Sequence, residues 1–222
     1  MFYSLVKRLF DLLSSFTALF LLSPLLILII IILKLSAEGE IFYLQERLGY
    51  KQKPFKIIKF ATMLKNSENM GSGTITLRND FRVTRPGKFL RKTKINEIPQ
   101  LINILLGDIS VVGPRPLLKK TFDSYPENVK SKIYFSKPGL TGIGSIIFRD
   151  EEKILSSKNI QNPHLYYDKY LAPYKGELEL WYMNKKSFII DFKLIILTAI
   201  TIICPENNLH NIWFKNLPKR NF

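Results

Sequence analysis

The sequence has little cysteine and little histidine. Cys204 is the only cysteine among 222 residues, which excludes an internal disulfide and a cysteine-based metal cluster. The two histidines, His164 and His210, lie far apart and have no cysteine neighbours. Neither a zinc site nor a serine or cysteine triad is supported by this pattern. Any nucleophilic or acid–base chemistry therefore falls to carboxylates.

Acidic residues are also scarce. There are 18 Asp and Glu against 33 Lys and Arg, a net charge of +15. This excess predicts an anionic partner, which is nucleic acid, anionic lipid or a phosphorylated substrate. A nucleic-acid-binding protein is the weakest of these, because the chain has a long apolar segment and no binding motif of that class, so we expect no nucleic-acid partner.

The long apolar segment runs from Leu12 to Leu33 without a charged residue, which is enough for a helix to span a bilayer. Its middle contains Ser23-Pro24. Proline removes a helical hydrogen bond, and Ser23 is placed to satisfy the carbonyl that is freed. Each half is roughly 16 Å long, too short to span alone.

Three structures are open for this segment: a kinked spanning helix, a helix–break–helix that re-enters on one face, and a buried core helix. Lys7 and Arg8 precede it and Lys34 follows it. Basic flanks prefer the cytoplasmic side of a membrane, and here both flanks are basic. The pattern favours the re-entrant and spanning structures about equally over a core helix.

The central stretch, residues 91–116, has the features of a phosphate site. Asn96 is a suitable helix N-cap and Glu97 places a carboxylate in the first turn. Gly107 is placed to end the helix. The apolar residues recur at spacings of three and four: Ile98, Leu101, Ile102 and Leu105.

The residues on either side of this predicted helix are suited to binding phosphate and Mg²⁺. A helix N-terminus attracts phosphate, and arginine binds phosphate oxygens in a fork. Arg91 and Arg115 lie on either side, and a carboxylate at Glu97 can hold Mg²⁺ against a diphosphate. Taken alone, Asn96 and Glu97 are more typical of an ordinary helix start than of a functional site.

Other segments supply context. Residues 41–45 and 55–60 predict a β-hairpin beside the apolar segment. Residues 66–76 form a polar stretch that we interpret as a mobile loop. The basic run 80–92, with Arg78 just before it, is either a solvated face or part of a polyphosphate site, which its position directly before Glu97 favours. The helix predicted over residues 187–204 is interrupted by Asp191 and Lys193, so it is too short to span and lies in the core or the interface.

Several different short motifs follow one another along the chain in this order: Lys7-Arg8-Leu9-Phe10-Asp11, Ser23-Pro24, Gln45-Glu46-Arg47-Leu48-Gly49, Pro54-Phe55-Lys56, Lys59-Phe60, Phe89-Leu90-Arg91-Lys92, Asn96-Glu97-Ile98-Pro99-Gln100-Leu101, Gly113-Pro114-Arg115-Pro116, Pro138-Gly139-Leu140-Thr141-Gly142 and Asp191-Phe192-Lys193. In this order they resemble the bacterial sugar transferases that act on polyprenyl phosphate, the monotopic phosphoglycosyl transferases. The resemblance covers nearly the whole chain. Each motif is weak by itself, whereas the ordered set is specific.

The resemblance implies an α+β, mainly helical fold. Residues 1–36 would form a re-entrant membrane helix broken at Ser23 and Pro24, followed by a small β-hairpin and interfacial amphipathic helices. Residues 37–222 would form a cytoplasmic, membrane-associated catalytic domain. The expected location is the cytoplasmic face of the bacterial inner membrane, in contact with its lipids, and a homo-oligomer is compatible with this arrangement.

The implied reaction transfers a sugar 1-phosphate from a UDP-sugar to polyprenyl (undecaprenyl) phosphate, with Mg²⁺. The products are a polyprenyl-diphosphate-sugar and UMP, which begins exopolysaccharide, lipopolysaccharide or other glycoconjugate synthesis. The family uses an Asp-Glu pair whose Asp attacks, and the matching catalytic positions are Asn96 and Glu97. Glu97 is also the expected metal ligand, and the expected phosphate-binding residues are Arg91, Arg115 and Lys59.

The chain departs from the family at Asn96, because a carboxamide is a poor nucleophile. Ala61 is a second departure, where the family commonly has a basic residue. Three accounts of Asn96 are open: Glu97 attacks itself, transfer is direct with Glu97 holding Mg²⁺ or activating the acceptor phosphate, or the chain is inactive. We expect an enzyme, since Glu97 and the three cations remain, and the alternative is a catalytically inactive membrane scaffold of the same fold.

Overall fold

The fold is mainly helical with two small sheets. The computed structural model describes residues 2–36, 38–71, 73, 75–157 and 160–222. The helices are α1 (Phe2–Leu35), α2 (Arg85–Lys92), α3 (Gln100–Leu106), α4 (Lys119–Asp123), α5 (Glu127–Lys130), α6 (Ile143–Ile147), α7 (Glu151–Leu155), α8 (Pro163–Tyr166), α9 (Ala172–Lys185), α10 (Phe188–Ile203) and α11 (Leu209–Trp213). The strands are β1 (Phe42–Leu48), β2 (Pro54–Phe60), β3 (Ser110–Val112) and β4 (Gly139–Thr141). The predicted mainly helical α+β class is confirmed.

Helix α1 continues through Pro24 without interruption. The prediction that the helix is interrupted at Ser23 and Pro24 is therefore wrong. Pro24 has no N–H to donate to the carbonyl of Phe20, and the hydroxyl of Ser23 donates to that carbonyl instead, at 2.8 Å. The predicted role of Ser23 is confirmed, and this replacement bond explains why the helix continues.

The N-terminal part of α1 is fixed to the domain by polar contacts. The Tyr3 hydroxyl donates to Asp191 of α10 at 2.8 Å, and Lys7 forms an ion pair with the same carboxylate. Asp11 is 3% exposed and accepts a hydrogen bond from the Ser110 hydroxyl at 3.0 Å. These carboxylates are stabilised by their partners, so the start of α1 is attached to both β3 and α10.

The C-terminal part of α1 packs against the same domain through apolar side chains. Ile29 and Leu33 are 5% and 3% exposed and form a cluster with Phe60 of β2 and Leu90 of α2. The opposite stripe of α1 is uncovered: Leu5, Leu9, Leu13, Phe16, Phe20, Ile31 and Leu35. Among the described residues, residues 3–35 form one helix long and apolar enough to cross a membrane. Large uncovered apolar surface of this kind is typical of contact with lipid.

The predicted hairpin is confirmed. Strands β1 and β2 are antiparallel, with register from Phe42 opposite Phe60 to Leu48 opposite Pro54. A second, parallel pair joins β3 to β4, with Ser110 opposite Gly139. The hairpin carries Lys59 toward the start of α3, and the parallel pair leads directly into Gly113, so the two sheets position the site from opposite sides.

Asn103 of α3 connects that helix to the hairpin. It is 1% exposed, its Oδ1 accepts from Ile58 N–H at 2.9 Å, and its Nδ2 donates to the Lys56 carbonyl at 2.8 Å. We expect Asn103→Ala to lower the free energy of unfolding by about 2–3 kcal/mol, because it leaves strand groups without partners. Denaturant unfolding in detergent measures this. A loss no larger than that of the exposed Asn128→Ala contradicts the prediction.

The main core lies in the C-terminal half. Ile143 of α6, Leu171, Leu178 of α9, and Leu194 and Leu197 of α10 are fully buried in one cluster. Helix α10 agrees with the helix predicted from the sequence. It is a core helix along one face and leaves apolar residues uncovered on the other, where Ile189 and Phe192 are 69% and 61% exposed.

Candidate functional site

The stretch around Asn96 differs from its prediction. Residues Ile95–Glu97 form a 3₁₀ turn with Asn96 inside it, so Asn96 is not an N-cap, and α3 begins only at Gln100. The physical reason is Pro99, which has no N–H to donate to the Ile95 carbonyl, so the turns before it close with i to i−3 bonds. The predicted end of the helix at Gly107 is confirmed, with φ of +91°.

Glu97 lies between two cations. Its Oε1 is 3.6 Å from Lys59 Nζ and 3.7 Å from Arg115 Nη2. The Glu97 and Lys59 side chains are only 16% and 15% exposed. The fold thus brings together three of the predicted site residues, which come from β2, from the turn before α3 and from the loop after β3.

The charges around Glu97 control its protonation. Burial by itself would raise the pKa of the carboxyl, but nearby cations lower that pKa to about 2: Lys59, Arg115, Lys94 and Arg47. Burial, helped by neighbouring arginines, lowers the pKa of Lys59 to about 7 despite the attraction of Glu97. Glu97 is therefore ionised at physiological pH, and Lys59 gains or loses its proton near neutrality.

Arg91 reaches the same cleft but has a different partner. Its Nη2 lies 2.6 Å from Glu152 Oε1 of α7, and both side chains remain partly exposed. Sequence reasoning missed Glu152, and no local motif indicates it, because the pair joins residues far apart in the chain. Glu152 pairs with one nitrogen of the Arg91 guanidinium, which has five N–H donors in all, so the same group can also bind a ligand.

Asn96 is 7% exposed and lies in the wall of the same cleft. Its Oδ1 is buried and has no hydrogen-bond partner in the part of the chain that the structure describes. A buried acceptor without a partner costs free energy, which a bound donor or cation would recover. Asn96 is thus placed to contact a ligand, although it cannot act as the attacking group.

The cleft has a volume of about 1580 Å³ and contains all five predicted site residues. Its far wall is built on Arg82, which is 1% exposed and pairs with Asp80 at 2.6 Å. The Arg82 guanidinium also donates to four loop carbonyls, those of Ser67, Met70, Gly73 and Ile75. From the sequence, Arg82 was a candidate for phosphate binding, but its guanidinium N–H groups bind Asp80 and the loop carbonyls that form this wall of the cleft. Ser72 and Thr74 of the predicted mobile loop lie outside the described residues.

The loop that carries Arg115 is held through its backbone. Glu179 Oε1 accepts from Arg115 N–H at 3.3 Å, and the Tyr134 hydroxyl donates to the Arg115 carbonyl at 2.9 Å. Arg47 donates to the Pro116 carbonyl at 3.3 Å. None of these supports was predicted as a site residue, because each acts on backbone atoms and leaves no recognisable pattern in the sequence.

Glu179 makes folding stability depend on pH. Burial raises the pKa of its carboxyl to about 7, above the ordinary value of 4.5. The folded protein therefore keeps a proton that the unfolded chain has lost, and this contribution, about 3 kcal/mol, disappears as pH rises from about 4.5 through 7. We expect Glu179→Gln to flatten the unfolding free energy over this range in detergent. The exposed Glu177→Gln on the same helix is the control, and an unchanged slope in Glu179→Gln contradicts the assignment.

Comparisons with known proteins place this geometry in context. A family model described as bacterial sugar transferase matches residues 2–205. The chain is 33% identical over 202 residues to the uncharacterized sugar transferase EpsL of Bacillus subtilis (strain 168), which covers 91% of this chain and 89% of that protein.

Longer relatives are also similar. The chain is 34% identical over 198 residues to the UDP-glucose:undecaprenyl-phosphate glucose-1-phosphate transferase of Escherichia coli (strain K12), covering 88% of this chain. It is 36% identical over 147 residues to the UDP-N-acetylgalactosamine-undecaprenyl-phosphate N-acetylgalactosaminephosphotransferase of Aeromonas hydrophila, covering 65% of this chain. The matched parts span only 39% and 34% of these two proteins.

Proposed function

This chain belongs to the bacterial sugar transferase family, and on that premise we propose that it transfers a sugar 1-phosphate from a UDP-sugar to polyprenyl phosphate. The products are UMP and a polyprenyl-diphosphate-sugar, which begins a surface polysaccharide or glycoconjugate. The observation that carries the proposal is the Glu97 carboxylate held between Lys59 and Arg115 in a cationic cleft. Relatives named for the same transfer, with two different sugars, support it.

The cleft's cations suit a nucleotide diphosphate. Arg115 presents a planar fork that matches two phosphate oxygens, and Lys59 adds a compact charge beside it. Arg91 lines the same cleft, paired with Glu152, and its guanidinium adds N–H donors to the phosphate site. Phosphoryl transfer depends on positioning and on charge stabilisation, which is what this set of side chains supplies.

The donor atoms at the site are compatible with Mg²⁺. Glu97 offers a carboxylate and Asn96 a buried amide oxygen without a partner, and hard oxygens are the ligands Mg²⁺ prefers. Among the described residues, no three His, Cys, Asp or Glu side chains gather as a metal site, so diphosphate oxygens and water would complete the coordination. Bound there, Mg²⁺ would neutralise charge on the diphosphate.

Direct transfer is the mechanism that fits these side chains. Asn96 has no nucleophilic oxygen, and a carboxylate whose pKa is about 2 is a weak nucleophile and a weak base. An oxygen of polyprenyl phosphate attacks the sugar-bearing phosphorus of the donor. The bond from that phosphorus to the bridging oxygen breaks, and UMP leaves with that oxygen. Lys59 and Arg115 stabilise the charge that accumulates on the phosphoryl oxygens.

The membrane arrangement is part of the proposal. In this arrangement residues 1–36 would be a re-entrant segment in which α1 bends at Pro24 without being interrupted, and residues 37–222 would be the catalytic domain on the cytoplasmic face of the bacterial inner membrane. Both ends of α1 contact this one domain, through Asp191 near Tyr3 and through Phe60 near Leu33, which supports entry and exit on one side. The acceptor's phosphate then reaches the cleft while its lipid tail stays in the bilayer.

The test is UMP release by the purified protein with Mg²⁺, a short polyprenyl phosphate and a panel of UDP-sugars. Wild type is expected to release UMP with at least one sugar. Under direct transfer, no UMP appears when the acceptor is omitted, whereas a covalent intermediate gives a burst of UMP without acceptor.

Asn96→Asp separates the enzyme from an inactive scaffold. If wild type is silent across the panel while Asn96→Asp turns over, the natural chain is a scaffold of this fold and the proposal fails. If wild type and Asn96→Asp both release UMP, the transfer reaction does not require an aspartate at position 96. An acceptor-independent burst in Asn96→Asp but not in wild type supports two different routes through one site.

A further inference from the structure

We propose that Glu179 and Tyr134 are positioning residues for donor binding, because they bind the N–H and the carbonyl of Arg115, which belong to the two peptide groups on either side of its Cα. This inference rests on the proposed function, since it assigns to Arg115 the diphosphate of the donor. Neither residue touches the cleft's phosphate-binding atoms. Each acts through a main-chain group of Arg115 and so determines where its guanidinium lies.

The contact from Glu179 is specific and buried. Glu179 is 3% exposed and belongs to α9. Its Oε1 accepts from Arg115 N–H at 3.3 Å, while its Oε2 is buried and has no hydrogen-bond partner in the described part of the chain. A Cβ on Gly144 would lie 2.6 Å from Oε1, so the glycine leaves room for this carboxyl. A half-paired buried carboxyl is costly, and its hydrogen bond to the Arg115 N–H offsets part of that cost.

Tyr134 holds the other side. It is 2% exposed, and its hydroxyl donates to the Arg115 carbonyl at 2.9 Å and accepts from Leu117 N–H at 2.9 Å. One hydroxyl therefore ties together the residues before and after Pro116. With Glu179 on the N–H and Tyr134 on the carbonyl, both backbone polar groups of Arg115 are bound by buried side chains.

The consequence lies at the guanidinium. Arg115 Nη2 is 3.7 Å from Glu97 Oε1, and Nη1 donates to the Ser145 hydroxyl at 3.3 Å. The side chain is 38% exposed, and these two contacts form only where the backbone places the guanidinium within reach of Glu97 and Ser145. Its position then depends on the backbone, and displacements of about 1 Å at such a group cost on the order of 10²-fold in activity.

The experiment is a double-mutant cycle on UDP binding, measured by calorimetry with the full-length protein in detergent and Mg²⁺. Tyr134→Phe and Glu179→Ala are each expected to weaken UDP binding about tenfold, while Glu179→Gln, which keeps an acceptor for Arg115 N–H, stays within about threefold. In an Arg115→Ala background, Tyr134→Phe and Glu179→Ala are expected to have less than about twofold effect. Tyr125→Phe, which removes another buried tyrosine hydroxyl, is the matched control.

A purely structural role predicts a different pattern. If Tyr134→Phe and Glu179→Ala weaken UDP binding equally with and without Arg115, or if Tyr125→Phe has the same effect, the proposal is overturned. Because the readout is binding, a protein that binds UDP but releases no UMP defeats the proposed function and leaves this cycle interpretable. Thermal unfolding of each variant shows that a folded protein is being compared.

Discussion

The Glu97→Gln variant is expected to lose about 10³-fold in kcat for UMP release, with a smaller change in the KM for the UDP-sugar. The substitution keeps the size of the side chain and removes its charge. In wild type that charge lies 3.6 Å from Lys59 and 3.7 Å from Arg115 and holds both cations in place. Without it the two cations repel each other, and the oxygen ligand for Mg²⁺ is weakened. Steady-state UMP release across a range of UDP-sugar concentrations measures both constants.

The control for this prediction is Glu127→Gln, an exposed carboxyl on α5 far from the cleft. It should retain wild-type turnover. The pH profile gives a second check, because the pKa of Glu97 is about 2 and no loss of activity from its protonation is expected above pH 4. Turnover by Glu97→Gln within tenfold of wild type would remove Glu97 from the chemistry and leave the cations as the functional core.

The Arg115→Lys variant is expected to lose about 10²-fold in kcat/KM, largely through a higher KM for the UDP-sugar. Lysine keeps the positive charge but loses the planar pair of donors that binds two phosphate oxygens at once. It also loses the contact of Nη1 with Ser145, which helps to orient the guanidinium. Measuring kcat and KM separately distinguishes weaker donor binding from slower transfer.

Arg78→Lys is the matched control, because Arg78 also lines the cleft and its recorded hydrogen bond, to Ser156, is made by its backbone N–H. It should stay within about threefold of wild type. If Arg115→Lys matches Arg78→Lys, charge alone is sufficient at position 115. In that case the exact position of the Arg115 guanidinium does not limit activity, and Glu179 and Tyr134 have no positioning role in donor binding.

Much of the local structure was predictable. The apolar run from residue 12 to 33 indicated α1, the alternating segments on either side of Gly49 indicated the hairpin, and Gly107 indicated the end of α3. Two local predictions were wrong, and proline is the reason in both. The Ser23 hydroxyl compensates for Pro24, so α1 does not break there. At Pro99 the Ile95 carbonyl instead accepts from the Ile98 N–H in a tighter turn, and α3 begins beyond Asn96.

The site was predictable in its members but not in its contacts. Glu97, Lys59 and Arg115 were recognised by their order in the chain, and the fold brings Lys59 and Arg115 each within 4 Å of Glu97. The neighbouring residues in the sequence do not distinguish Arg82, whose guanidinium binds loop carbonyls, from Arg91, whose guanidinium reaches the cleft. In a chain with 33 basic residues, a motif cannot show which cation meets which anion.

The sequence by itself determined the apolar helix, the excess of positive charge and the absence of a nucleophilic aspartate at Asn96. These depend on residue type and on neighbours within a few positions, where propensity and periodicity act. Only the tertiary structure decided that Glu97 lies between Lys59 and Arg115, that Arg91 pairs with Glu152, and that Glu179 and Tyr134 hold the Arg115 backbone. Each of those contacts joins distant segments, and their strengths depend on burial and distance, which exist only once the chain has folded.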